Sequence, residues 1–162
     1  MPDSYLDALD LQILSRLQHD ASPSHQALGE ALQVSTATAH RRVRRLQSLG
    51  VVERLVAVLS PLRLAEAGVP LLQALLEVTL DVQNHERLDA FEARAVADAA
   101  VQQCWRVSPG PDFVLVVAVA DMDAYQAFTA RLLTADANVR NVRAFFAVKR
   151  ARFGSELPLP AR

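Results

Sequence analysis

The sequence contains one cysteine, few aromatic residues and no long hydrophobic run. Because Cys104 stands alone, no disulfide can form within the 162-residue chain, which is typical of a cytosolic protein. The longest apolar run, residues 113–120, is far too short to span a bilayer. The N-terminal residues are acidic instead of basic and apolar, so we expect no signal peptide. These absences predict a cytoplasmic protein that does not enter a membrane.

Side chains that could bind a metal are also sparse. His19, His25, His40 and His85 are scattered along the sequence. None has the spacing to Cys104 or to another histidine that zinc sites use. The lone cysteine is most simply a small buried hydrophobic residue. We therefore expect no metal, no cofactor and no catalytic residue.

Basic charge is concentrated in one short stretch. The net charge of the chain is −1, which excludes a generally basic protein that coats nucleic acid, yet residues 35–54 carry five arginines against one acid. Read as a helix, residues 34–46 place Ala39, Val43 and Leu46 on one face. The other face carries arginines, hydroxyls and small residues. Like charges at helical spacing repel, and a solvated face would interleave both signs, so this stretch favours contact with nucleic acid.

The side chains of this helix divide into two predicted roles. Arginines supply phosphate affinity and can fork onto guanine, whereas small residues let the helix backbone approach base edges. The side chains best placed for bases are Thr36, Ala37, His40 and Arg41. The side chains expected to hold phosphates or to frame the helix are Thr38, Arg42, Arg44 and Arg45. Ser35 is the predicted N-cap and completes the set of candidate DNA contacts.

Three short helices are predicted before residue 52. Apolar residues at helical spacing predict a first helix over residues 5–19. Ser22 followed by Pro23 is typical of an N-cap and the first position of a second helix, in which Gly29 indicates a close helix crossing. Gly50 is placed to end the third helix in a left-handed conformation. A tight connection between the second and third helices is the helix-turn-helix pattern, whose last helix enters the major groove.

The rest of the chain alternates strands and helices. Residues 51–59 predict a strand, followed by one helical turn that Gly68 ends. From residue 69 the order β-α-β-β-α-β is expected, which is a ferredoxin-like α+β sandwich. The second of these strands is expected to place four side chains on one face: Val101, Gln103, Trp105 and Val107.

The predicted fold is therefore α+β with two domains. Residues 1–52 form a helix-turn-helix (winged-helix-like) domain, residues 53–68 a linker strand and turn, residues 69–150 a ferredoxin-like domain for dimerisation and effector binding, and residues 151–162 a C-terminal tail. In the ferredoxin-like domain the helices cover one face of the sheet and leave the other bare. A bare sheet face in so small a domain usually finds a partner, so we expect a homodimer.

The chain resembles the Lrp/AsnC, or feast/famine, family of transcription regulators over nearly its whole length. Residues 6–14 match the family's opening L-D-x-x-D-x-x-I-L. Residues 34–52 match its L-S…R-V-x-x-L…G-[VI]-[IV] recognition helix and exit. Residues 107–113 and 121–125 match the second domain's V-x-G-x-x-D-[YF] and D-M-x-x-Y. The order and spacing of these motifs make the resemblance specific.

The resemblance implies a homodimer, often assembled into octamers, that places two recognition helices on a pseudo-palindromic site in double-stranded DNA. It also implies a small effector, commonly an amino acid, bound between ferredoxin-like domains. The effector residues implied in this sequence are Ser108, Pro109, Gly110, Asp112, Phe113 and Phe145. The carboxylate of Asp112 could pair with an effector's ammonium group. The loop departs from the family pattern, because Pro109 stands where the family has glycine and lacks an N–H for a carboxylate.

Two other functions remain open on the sequence. Some proteins that resemble this family are enzymes that decarboxylate siroheme derivatives, and they carry histidine, tyrosine and arginine around the second and third strands. Residues 102–106 and 113–116 contain neither histidine nor tyrosine. The other alternative is a ligand-sensing module whose helix-turn-helix binds protein, which predicts no DNA affinity.

Overall fold

The computed structural model describes residues 6–160 and divides the chain into two compact units. One unit contains the residues up to 58 together with those from 152 onwards, and the other contains residues 59–151. Across the described residues, no helix is long and apolar enough to cross a membrane.

The N-terminal unit contains the three predicted helices: α1 (Ala8–His19), α2 (His25–Leu32) and α3 (Thr36–Ser48). Their apolar faces meet in one small core, whose buried hydrophobic residues are Ile13, Leu28, Ala39, Val43 and Leu46. The first helix was predicted from Tyr5, which lies outside the described residues. It begins at Ala8 because Asp7 is its N-cap, and the side chains of Asp7 and Asp10 each accept the other's backbone N–H.

The predicted cap of α2 is wrong by two residues. Ser24 caps the helix, since its hydroxyl accepts the N–H of Ala27 at 3.2 Å. The N–H of Ser22 instead donates to the side chain of Asp20 at 2.9 Å. This local turn is the alternative that aspartate offers the backbone ahead of a helix.

The turn between α2 and α3 is as tight as Gly29 indicated. A Cβ on Gly29 would lie 2.8 Å from the carbonyl oxygen of Val34, so only glycine lets the turn pack this closely. Gln33 takes a left-handed conformation with a φ of 56°. Gly50, with a φ of 71°, ends the recognition helix as predicted.

The predicted strand over residues 51–59 is wrong. The structure assigns no strand to these residues, and several of their apolar side chains, such as Val56 and Leu59, are exposed. Strand-like composition is not sufficient, because a strand also needs a neighbour for its backbone hydrogen bonds. The helical turn that follows is confirmed as α4 (Pro61–Glu66), with Gly68 beyond its end at a φ of 85°.

The second unit has the predicted order of strands and helices. Its elements are β1 (Leu72–Leu80), α5 (His85–Ala97), β2 (Val101–Arg106), β3 (Phe113–Val119), α6 (Met122–Thr129, continued by a π-helical turn over Ala130–Thr134) and β4 (Val139–Phe146). The four strands form one antiparallel sheet in the order β2-β3-β1-β4. The ferredoxin-like α+β fold is confirmed.

The helices cover one face of this sheet, and a buried cluster fills the space between them. The expectation that four side chains of β2 share one face is wrong, because a bulge between Val101 and Gln103 shifts the alternation. Val101 and Cys104 pack on the core, while Gln103 and Trp105 lie on the opposite face.

That opposite face is uncovered in the single chain. We call it the open sheet face; its residues are Gln73, Leu75, Glu77, Gln103, Trp105, Val114, Val116, Ala118, Arg143 and Phe145. Its large apolar side chains are about half exposed: Leu75 by 45%, Trp105 by 59% and Phe145 by 46%.

Candidate functional site

Two of the four clustered arginines are bound to a buried carboxylate. The side chain of Asp10, on α1, is fully buried, and it lies 3.1 Å from Nη1 of Arg42 and 2.9 Å from Nη1 of Arg45. Arg42 also contacts the carboxylate of Asp7 at 2.5 Å. The backbone N–H of Asp10, followed by Arg42, lowers the pKa of Asp7. The same carboxylates raise the pKa of Arg42, with the bond to Asp7 as the largest cause.

These ion pairs attach the recognition helix to α1. A buried carboxylate is unfavourable unless cations and hydrogen bonds compensate for its lost hydration. Arg42 and Arg45 are three positions apart, so both reach the same side of α3. Of the two roles that the sequence left open for them, phosphate contact or framing of the helix, the structure provides the contacts for framing.

A different set of residues faces solvent. Thr36, Ala37, His40, Arg41 and Arg44 are all exposed, and their spacing places them on one side of α3. We call these five residues the reading face. Within the described residues, neither arginine of this face forms an ion pair. The reading face therefore presents two uncompensated positive charges beside small side chains.

Ser35 and Thr38 shape the start of the recognition helix. The hydroxyl of Ser35 accepts the N–H of Thr38 at 3.2 Å and lies 2.9 Å from the hydroxyl of Thr38. The N-cap predicted from the sequence is confirmed. Both hydroxyls are engaged with each other, so their first role is to fix the helix terminus that carries the reading face.

One neighbour of the reading face was missed. His25, the first residue of α2, lies against His40, with ring centroids 4.9 Å apart and planes perpendicular. The two histidines are 15 positions apart in the sequence, and only the turn between α2 and α3 brings them together. Throughout the described part of the chain, no group of three or more side chains could hold a metal ion.

The predicted effector loop is fixed to the sheet by Asp112. Its carboxylate accepts the N–H of Leu80 at 2.7 Å and the side-chain amide of Gln83 at 3.2 Å. Its backbone N–H donates to the carbonyl of Val78 at 2.9 Å. The carboxylate that was expected to receive an effector's ammonium group is therefore already engaged in holding the loop.

The remaining effector candidates lie in different places. Ser108, Pro109 and Gly110 form the loop between β2 and β3, in which the Ser108–Pro109 peptide bond is cis. The side chain of Phe113 is fully buried, and its ring packs 4.8 Å from that of Phe91. It belongs to the core cluster between the sheet and the helices.

Phe145 lies on the open sheet face, with the guanidinium of Arg143 5.3 Å from its ring centroid. Phe113 is level with Val142 of β4, two strands away, and Phe145 is three residues further along. Strand geometry then separates Phe145 from the start of the loop by about 10 Å across the sheet and about 10 Å along it. One protomer does not bring the loop and Phe145 together.

Comparison with known proteins identifies both units. The AsnC-type helix-turn-helix domain matches residues 6–47, and the Lrp/AsnC ligand binding domain matches residues 73–157. The chain belongs to the Lrp/AsnC family. It is a transcriptional regulator with a DNA-binding helix-turn-helix domain followed by a ligand-binding domain.

Relatives in sequence and in structure agree with this assignment. The Bkd operon transcriptional regulator of Pseudomonas aeruginosa is 33% identical over 154 residues, which cover 95% of this chain and 98% of the relative. An AsnC family transcriptional regulator from Agrobacterium tumefaciens has a TM-score of 0.79 at 29% identity, covering 94% of this chain and 97% of that one. A Neisseria meningitidis transcriptional regulator, solved as a complex with L-Met, has a TM-score of 0.78 at 25% identity, covering 95% and 97%.

Proposed function

We propose that this regulator binds a pseudo-palindromic DNA site as a homodimer, through the reading face of α3, and that an amino acid or related metabolite changes its binding. The observation that carries this proposal is the division of the arginine cluster. Arg42 and Arg45 hold α3 on α1, while Arg41 and Arg44 face solvent without an acid partner in the described residues. A helix that is held on α1 by one face and presents positive charge on the opposite face is suited to binding in the major groove.

Within the reading face, Arg41 is assigned to bases and Arg44 to phosphate. Arg41 is one turn from Ala37, where the small side chain allows close approach to base edges. Arg44 lies one turn further from the helix start, where the groove wall carries phosphates. Base contacts give sequence preference, and phosphate contacts give affinity that is independent of sequence.

The proposed dimer forms between two copies of the open sheet face. This face exposes Leu75, Trp105 and Phe145, and the ion pair between Glu77 and Arg143 (3.2 Å) crosses it. Large apolar side chains on one flat surface favour burial against a matching surface. In a two-fold symmetric dimer, the same face of a second copy of the chain is the matching surface. A higher oligomer, such as an octamer, would be built from these dimers.

The effector is proposed to bind between protomers. The relative from Neisseria meningitidis was solved with L-Met, which supports an amino acid for this chain. Residues 108–110 and Phe145 lie too far apart in one protomer to enclose so small a molecule, so residues of two copies would have to combine. Pro109 offers no N–H to a carboxylate, so this loop is expected to bind its effector through other groups.

We propose no enzymatic activity and a cytoplasmic location. The curated relatives are named as transcriptional regulators, and a regulator of this class must reach chromosomal DNA. The siroheme decarboxylase alternative gains no support, since residues 102–106 and 113–116 of the second and third strands contain neither histidine nor tyrosine.

The test is fluorescence anisotropy on DNA fragments, including the region upstream of the regulator's own gene. If a dimer makes 6 to 10 phosphate contacts, affinity falls by about 10³- to 10⁵-fold between about 50 and 200 mM salt. Absence of any salt-sensitive affinity for these fragments would contradict DNA binding. Thermal unfolding in the presence of an amino-acid panel tests the effector, and a flat response across the panel contradicts an amino acid.

A further inference from the structure

The C-terminal tail packs on the N-terminal unit. After β4 ends at Phe146, the chain from residue 152 onwards belongs to the same compact unit as α1, α2 and α3. Gln18, near the end of α1, holds it by two hydrogen bonds. Its Nε2 donates to the carbonyl of Leu157 at 3.1 Å, and its Oε1 accepts the N–H of Leu157 at 3.0 Å.

The tail lies beside α1 and residues 51–58, and a groove of about 780 Å³ remains between these segments. Leu14 and Leu17 of α1, residues 51–58, and Ser155 and Leu157 of the tail line this groove. Leu159 of the tail contributes to the lining and is partly buried. Nε2 of His19 also lies 4.0 Å from the carboxylate of Glu156.

These contacts are those of a peptide-binding site. A side-chain amide that bonds both the N–H and the C=O of one residue recognises an extended backbone, as a neighbouring strand would. Pro158 and Pro160 on either side of Leu159 have no N–H to satisfy. Their fixed φ angles also reduce the entropy that the tail loses on docking.

We propose that the surface formed by the end of α1 and residues 51–58 is a docking site for the chain's own C-terminal tail, residues 152–160, and that the docked tail holds α1 in the position that supports the recognition helix. The same helix carries Gln18 near one end and Asp10, the partner of Arg42 and Arg45, near the other. Only five residues, 147–151, separate β4 from the tail. The tail is therefore a second covalent connection, besides the linker after α3, between the ligand-binding sheet and the DNA-binding unit.

The first test measures docking without DNA. Gln18→Ala removes both hydrogen bonds to Leu157, and Gln12→Ala is its matched control, since Gln12 is an exposed glutamine on the same helix. Loss of two amide hydrogen bonds is expected to speed hydrogen exchange of the tail amides by about tenfold, while the control exchanges like the wild type. Equal exchange in the wild type and Gln18→Ala would overturn the proposal.

The second test identifies whose tail docks on this surface. Cysteines placed at Ala21 and Ser155, which line the same groove and leave Gln18 intact, are joined by a short bismaleimide in a Cys104→Ser background, and the products are separated under denaturing conditions. An intrachain product of monomer mass is expected. A covalent dimer would overturn docking of the chain's own tail and identify the tail of a second copy as the occupant.

The third test addresses the connection to DNA binding and rests on the proposed function. Gln18→Ala is expected to lower affinity for a bound promoter fragment several-fold, whereas Gln12→Ala leaves it unchanged. Unchanged affinity in Gln18→Ala, with faster tail exchange, would overturn the role in supporting α3 but not docking. If the wild type binds no DNA, the proposed function fails while the exchange and cross-linking results still decide whether the tail docks.

Discussion

Replacing Arg42 and Arg44 separately by glutamine tests whether neighbouring arginines of one helix have different roles. Arg42→Gln removes a cation from the fully buried carboxylate of Asp10. A hydrogen bond to a charged group contributes about 1.5–3 kcal/mol. Arg45 and the backbone N–H of Asp7 still bind Asp10 in this variant. We therefore expect the free energy of unfolding of the N-terminal unit to fall by about 2 kcal/mol, near the lower part of that range.

Arg44→Gln changes the same charge two positions away on the exposed side. Surface substitutions of this kind usually change stability by less than about 0.5 kcal/mol, so its unfolding should match that of the wild type. Its DNA binding, in contrast, should differ from that of the wild type. Removal of one phosphate contact from each half of a dimer reduces the slope of log affinity against log salt by about 0.9 for each contact, or about 1.8 in total.

Urea denaturation and anisotropy titrations over a salt series measure the two effects on the same samples. Arg42→Gln should lose stability and keep the wild-type salt slope under conditions in which it is fully folded. Arg44→Gln should show the opposite pattern. The reasoning is refuted if Arg42→Gln flattens the salt slope as much as Arg44→Gln does while its unfolding transition is unchanged, because Arg42 would then be a phosphate contact.

Four further changes test other parts of the molecule. Arg41→Ala should reduce the affinity ratio between a specific site and a scrambled fragment; an equal loss on both fragments would contradict a base contact. Leu75→Arg should convert the dimer to a monomer in sedimentation, and an unchanged mass would remove the open sheet face from the interface. Gly29→Ala should lower the free energy of unfolding in urea by about 1–3 kcal/mol, because its Cβ would lie 2.8 Å from the carbonyl oxygen of Val34. Alanine is the better helix former, so a more stable variant would contradict this close contact. The hydrogen bonds from Arg131 lower the pKa of Asp98, so this pair stabilises the fold above the carboxyl's ordinary pKa, and the stability difference between wild type and Arg131→Gln should shrink as pH falls through the lowered value. A difference that grows on acidification would contradict the pairing.

The order of elements could be predicted because each depends on local chemistry. Ser35, Asn84 and Asp121 each precede a helix, and each caps it through its side chain. Alternation of apolar residues located the strands for the same reason. The predictions failed where two nearby residues could each cap the same helix, or where the structure depends on a residue distant in the sequence. Ser22 and Ser24 are both acceptable caps, and Asp20 decides between them.

Interactions between distant residues were harder to predict. The bulge in β2 depends on how that strand pairs with β3, so alternation alone could not reveal that Cys104 faces the core and Trp105 does not. Phe113 was given to the effector by resemblance to a motif, but its position in β3 directs it beneath the helices. The hydrogen bond from Leu80 to Asp112 joins residues 32 positions apart, and no local pattern indicates it.

The pairing of Asp10 with the arginines did leave a signal in the sequence. Asp10 falls in line with Ile13 and Leu17 on α1, which form the apolar stripe of that helix. A carboxylate in such a stripe must be buried, and a buried carboxylate requires cations. The only nearby cluster of cations with one-turn spacing is on α3. Helical periodicity separates that cluster into an inward pair, Arg42 and Arg45, and an outward pair at 41 and 44. The four clustered arginines therefore form two pairs with different surroundings, and Asp10, 32 residues before Arg42, indicates which pair is held against α1.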